Sequence, residues 1–95
     1  MTHYIAVIHK DADSIYGVSF PDVPGVIAAA DSLDQALVEA AEALSFAAED
    51  WQELTGTPFP PPRSLDALNA DAAFNSQAER AVVAAVPLTR VDQAA

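Results

Sequence analysis

The order of hydrophobic patterns predicts an α+β fold of order β-β-β-α-β. This means a three-stranded antiparallel sheet plus a further strand, with one long helix packed on one face. Three observations carry the prediction. Two runs rich in β-branched and aromatic residues, 3–9 and 15–20, flank a short polar turn. A long alanine- and leucine-rich stretch after Ser32 repeats with helical periodicity. A last apolar run, 81–86, follows a proline-rich connector. At 95 residues and 10.0 kDa the chain has room for one small domain.

In the first strand, Tyr4, Ala6 and Ile8 point one way, and His3, Ile5, Val7 and His9 the other. Lys10-Asp11-Ala12-Asp13-Ser14 is turn chemistry, because Asp and Ser side chains satisfy turn backbone. The second strand, 15–20, completes a hairpin and holds Gly17, a mark of a bulge or a close approach. Apolar residues on both faces of these strands imply a sheet covered on both sides, by the helix on one and by another segment on the other. Phe20-Pro21-Asp22-Val23-Pro24-Gly25 breaks the pattern, since two prolines cannot donate to a ladder. A short third strand spans 26–30.

Ser32-Leu33-Asp34-Gln35 fits a capping box that opens the helix, and Thr55-Gly56 ends it after about Leu54. At 100° per residue, Leu33, Leu37, Ala40, Leu44, Ala47 and Trp51 form the stripe expected to face the sheet. Glu39, Glu42, Phe46, Glu49, Asp50 and Glu53 fall on the far side, with Val38 near its edge. Pro58, Pro60, Pro61 and Pro62 make an extended connector. Ser64 starts a short helical turn, residues 69–79 are weakly patterned, and a last strand from Arg80 stops at Pro87. The expected domain is 1–88, with 89–95 a frayed tail too short for a DNA-binding domain.

Composition narrows the function. A 52% hydrophobic content and a mean hydropathy of +0.17 exclude a disordered chain. Fourteen acidic residues against four basic ones give a net charge of −10, which argues against binding a nucleic-acid backbone and fits a basic partner. Ten of the acids and one of the basic residues fall in 1–55, so any attraction works mainly from the front half. The absence of cysteine excludes disulfides and cysteine-ligated zinc. No signal-peptide pattern opens the sequence and no apolar run reaches the roughly 18 residues of a membrane span, so a cytoplasmic protein is expected.

These signals, in this order, resemble the HicB antitoxin family. The resemblance covers most of 3–88. It rests on the Tyr4-containing first strand, the Asp-containing hairpin turn and the Phe20-Pro21-Asp22-Val23-Pro24-Gly25 break. It continues through Ala30-Asp31-Ser32-Leu33-Asp34-Gln35-Ala36 at the helix start, then Gly56 and Pro61-Pro62-Arg63-Ser64. Ala30 stands where the family usually has Gly. The resemblance implies a partial RNase-H-like fold and an antitoxin that covers the active site of HicA, a small basic toxin that cleaves mRNA with a histidine. It also implies dimers or larger assemblies. Members commonly carry a C-terminal DNA-binding domain, which is not expected within these 95 residues.

Catalysis is not expected, nor any cofactor or metal. An RNase-H-type nuclease needs converging carboxylates, but Asp11, Asp13, Asp22 and Asp31 sit where turns and caps use them. His3 and His9 are about 20 Å apart along one strand, too far to share a metal. The serines form no nucleophile elbow, and three glycines make no phosphate loop. The candidate partner-binding residues are therefore Glu39, Glu42, Phe46, Glu49, Asp50 and Glu53, for a small basic HicA-like toxin. Phe46 is either an exposed anchor or covered by residues 69–79. The alternative function is an orphan homo-oligomeric module, for which the apolar last strand offers an edge.

Overall fold

The computed structural model describes residues 2–11 and 15–88. Seven elements follow in these residues: β1 His3–Lys10, β2 Tyr16–Ser19, β3 Ile27–Ala30, α1 Leu33–Thr55, α2 Leu65–Asn69, α3 Ala72–Ala78 and β4 Val82–Pro87. The fold is α+β, with one antiparallel sheet of order β3-β2-β1-β4, as the patterns predict. The expected tail at 89–95 and part of the hairpin turn, 12–14, lie outside the described residues.

β1 is central because it is apolar on both faces. Ile8 sits opposite Val18 of β2 and Val82 of β4, and Val7 opposite Ser19 and Val83. Tyr4, Ala6 and Ile8 enter the main core with Val18, Phe20, Val23, Val86 and the inner face of α1. Ile5 and Val7 meet a second, smaller cluster made by Leu68 and Phe74. The cover of the second sheet face is thus α2 and α3. The weakly patterned stretch 69–79 holds a helix, opened by Asp71, whose carboxylate accepts from Ala73 N at 2.8 Å. Alanine periodicity hides this helix, because Phe74 is its one large apolar residue.

α1 packs through a line of small residues. Ala36, Ala40 and Leu44 are buried, flanked by partly buried Leu33, Leu37, Ala47 and Trp51. The alanines let the helix approach the sheet closely, and Leu44 is the one large side chain α1 buries fully. Half of the expected capping box forms. Ser32 Oγ accepts from Gln35 N at 3.1 Å, but Gln35 Nε2 donates to Glu39 at 2.9 Å instead of the Gln35 side chain returning to Ser32. Gly56 closes the helix at φ 77, its N–H donating to the Gln52 carbonyl. A Cβ at Gly56 would meet nothing within 4 Å. Gly56→Ala is therefore expected to cost only left-handed backbone strain, about 1–2 kcal/mol. Ser32→Ala is expected to cost about 1 kcal/mol through the lost cap. Thermal melts should show each as a Tm drop of about 4–8 °C per kcal/mol.

The proline-rich connector is tied down along its length. Phe59 stacks between Tyr4 (5.5 Å) and Trp51 (5.4 Å, edge-on), and the Tyr4 hydroxyl donates to the Pro60 carbonyl. The last strand starts two residues later than the pattern suggests, because Arg80 turns the chain at φ 62. Pro87 falls inside it, opposite His3.

Candidate functional site

Val38, Glu39, Glu42, Phe46, Glu49, Asp50 and Glu53 fall within a sector of about 120° on α1, opposite the buried line. Glu42, Glu49, Asp50 and Glu53 are exposed, and Glu39 is half-buried. Phe46 is 71% exposed and Val38 51%. Because α2 and α3 cover the other face of the sheet, residues 69–79 do not shield Phe46. The six expected residues thus share one face, with Phe46 among Glu42, Glu49 and Asp50 at helical i±3 and i±4 spacings.

This face is electrostatically unfavourable for an isolated helix. α1 carries six acidic residues and no basic one. Glu39 and Glu42, Asp50 and Glu53, and Glu49 and Glu53 are like-charge neighbours, each pair costing roughly 0.2–0.5 kcal/mol. Glu49, Asp50 and Glu53 also lie toward the C-terminal, negative end of the helix dipole. The two ion pairs found among the described residues both belong to Arg63, elsewhere.

Arg63 links segments far apart in sequence. Its backbone N–H and Nε donate to Asp22 at 2.7 and 2.6 Å, and its Nη1 donates to Asp71 at 3.0 Å. Asp22 thereby fastens the break after β2 to the connector, and Asp71 adds the start of α3. The Asp22 side chain is 8% exposed. The hydrogen bond from Arg63, and those from Ala73 and Phe74 N–H, hold the Asp71 carboxyl below its ordinary 3.8. A depressed carboxyl contributes stability that is present above its unfolded value and lost as pH falls through its folded value. The wild type should therefore lose Tm below about pH 4 more steeply than Asp71→Asn, which keeps a cap but no titrating charge. Melts between neutral and acid pH check this.

Of the other carboxylates weighed as nuclease candidates, Asp11 serves a turn. Asp11 Oδ1 accepts from Ile15 N at 3.0 Å, Asp31 is exposed ahead of the Ser32 cap, and Asp13 lies outside the described residues. Among the described residues no three of His, Asp or Glu gather where a metal ion would fit. His9 Nε2 donates to the Gln77 carbonyl at 2.7 Å, joining β1 to α3, while His3 is exposed at the other end of the strand. A shallow groove of about 380 Å³ lies on the open half of the sheet, lined by His9, Gly17, Ser19, Ile27 and Ala29. Among the described residues no helix is long and apolar enough to cross a membrane.

The sequence reading missed the Arg63 link and α3. Their one sequence signal is a single Arg after four prolines, with Asp71 placed to cap a run of alanines.

Comparison with known proteins follows the same fold. The family model described as the HicB-like antitoxin of bacterial toxin–antitoxin systems matches residues 4–95. The N-terminal domain of the Burkholderia pseudomallei antitoxin HicB is similar, with 28% identity, a TM-score of 0.73, and 93% of this chain and 99% of that chain covered. The longer structure of Burkholderia pseudomallei HicB matches at 30% identity and a TM-score of 0.73 over 93% of this chain. The match spans 64% of that protein's length. A chain of a HicA3 and HicB3 toxin–antitoxin complex shares the fold at 20% identity, with a TM-score of 0.70, covering 93% of this chain and 99% of that one. A comparison with curated proteins returns no match.

Proposed function

This chain belongs to the HicB-like antitoxin family of bacterial toxin–antitoxin systems, and from that membership we propose that it binds and neutralises a small basic HicA-like mRNA-cleaving toxin in the cytoplasm. The observation that carries the proposed surface is the outer face of α1. Its carboxylates repel one another, gain nothing from the helix dipole, and surround an aromatic ring that is 71% exposed. A basic partner relieves the repulsion, and Phe46 supplies the apolar anchor that interfaces use as a hot spot. The HicA3 and HicB3 complex adds support for a partner of the HicA type.

The mechanism asks no catalysis of this chain. The acidic face steers a basic toxin into contact, and the bound domain covers the toxin's active site. RNA is then excluded by bulk and by neutralisation of the positive cleft that would bind its phosphates.

The test is a pull-down of this chain with the product of the neighbouring reading frame, at low and high salt, followed by an RNA-cleavage assay. Recovery of a small basic protein whose cleavage activity stops on binding is the expected result. Recovery of no such partner, or of one that still cleaves RNA when bound, overturns the reading.

A further inference from the structure

We propose that the free edge of β3 takes up an extended segment of the basic toxin as an added strand, with an apolar side chain of that segment seated in the groove over Gly17; this rests on the antitoxin reading given above. A glycine inside a strand weakens it, and marks a bulge or a place where another backbone comes close. Gly17 makes no bulge. The register runs unbroken through it on both sides, against His9 of β1 and Ala29 of β3. Its backbone is not left-handed, as Gly25 and Gly56 are. Beyond its chain neighbours, a Cβ at Gly17 would meet one atom within 4 Å, the His9 carbonyl oxygen at 3.9 Å. Among the described residues nothing therefore requires glycine at this place, and the open floor it leaves is there for a partner's approach.

The backbone beside that floor is unpaired. Asp11 N donates to the Ile15 carbonyl at 3.0 Å, so residues 11 and 15 are a hydrogen-bonded pair at the end of the hairpin. Antiparallel ladders alternate, which makes His9–Gly17 and Val7–Ser19 the further such pairs. Tyr16 and Val18 then bond the other way, to Ala30 and Ala28 of β3. Ile27 and Ala29 are left aiming their N–H and C=O groups outward, and among the described residues no strand lies on that side. Ala28 and Ala30 pack toward α1, so the Ile27 and Ala29 side chains stand on the opposite face, both exposed. They wall the groove of about 380 Å³ that has Gly17 and Ser19 in its floor. A second hollow of about 220 Å³ continues past Ile27 to Pro24 and Gln77. Strand addition uses these two parts together: edge groups for main-chain hydrogen bonds, and a pocket for alternate side chains.

Charge selects the occupant. No Lys or Arg lies between Lys10 and Arg63, so the charged side chains of β2, β3 and α1 are all acidic. β3 runs directly into Asp31 and Asp34, both exposed. A second copy would bring the same acids to this edge, whereas a segment flanked by Lys or Arg finds partners there. The toxin drawn to the outer face of α1 is placed to supply that segment, because only Asp31 and Ser32 separate β3 from α1.

Hydrogen exchange and binding measurements with the toxin recovered in the pull-down test the idea. When the toxin binds, the Ile27 and Ala29 amides should gain protection, while those of Ala28 and Ala30, already bonded to β2, change little. Ala29→Pro removes one outward N–H and leaves the ladder to β2 whole. Gly17→Val fills the floor of the groove. Each should weaken toxin binding roughly tenfold or more. Gly17→Val should also melt no lower than the wild type, since valine favours a strand and its Cβ has room, so its lost binding is not lost folding. A toxin that binds while the Ile27 and Ala29 amides stay unprotected, or that binds both variants as tightly as the wild type, overturns this inference and leaves the antitoxin reading standing. Recovery of no toxin overturns both.

Discussion

Reversing Glu42 and Glu49 to lysine together is expected to slow association with the basic toxin by at least about tenfold at low salt, and to flatten the salt dependence of the rate. Both side chains are exposed on the outer face of α1 and flank Phe46. Two charges change sign, a net shift of four units, on a surface whose repulsion is otherwise uncompensated. Steering acts over the Debye length, about 8 Å at physiological salt, so the effect should fade as salt rises. Phe46→Ala tests the other half of the surface. It should leave the association rate nearly unchanged and raise the dissociation rate, with a loss of about 2 kcal/mol or more if Phe46 fills a pocket in the toxin. Stopped-flow or surface-binding kinetics separate the two effects. Neither substitution touches the core, so both variants should melt near the wild type. If the lysine variant associates as fast as the wild type at low salt, the outer face of α1 is not the docking surface.

The fold was legible where one period dominates. The alternation in β1 and the 3.6-residue spacing of Leu33, Leu37, Ala40 and Leu44 each specify an element and the face it buries. Ser32 and Gly56 mark both ends of α1 to within a residue, because caps are local chemistry. The acidic face was legible for the same reason: its residues lie on one helix, and helical spacing alone brings them together. Illegible was everything that depends on contact across the chain. The Pro21-Asp22 break and the Pro62-Arg63 segment carry much of the family resemblance, yet nothing in either predicts that Arg63 reaches Asp22, 41 residues away. Whether Phe46 is covered depended on which sheet face 65–78 would choose. That choice was made by Ile5 and Val7, whose apolar side chains need a cover that α1 cannot supply from the opposite face.

Leu44→Ala is expected to be the most damaging single core substitution, costing about 3–5 kcal/mol and lowering Tm by roughly 15–30 °C. Leu44 is fully buried, and its inward neighbours on α1, Ala36 and Ala40, are already as small as side chains come short of glycine. No neighbouring side chain on the helix can swing in to refill the space, so the cavity persists and the cost lies toward the upper end of its range. A domain of this size has on the order of 5–15 kcal/mol in total. Leu68→Ala removes an equally buried leucine from the smaller cluster beneath α2 and α3. Its loss should be felt first as local opening, with faster hydrogen exchange in 65–78 while β1 and α1 stay protected. The contrast bears on function because α1 has two faces with separate duties. Loss of toxin binding in Leu44→Ala should track the unfolded fraction and recover on cooling. Loss of binding in Phe46→Ala or in the lysine variant should persist in a fully folded protein. A Leu44→Ala protein that melts within a few degrees of wild type would mean that α1 is not held to the sheet by this side chain.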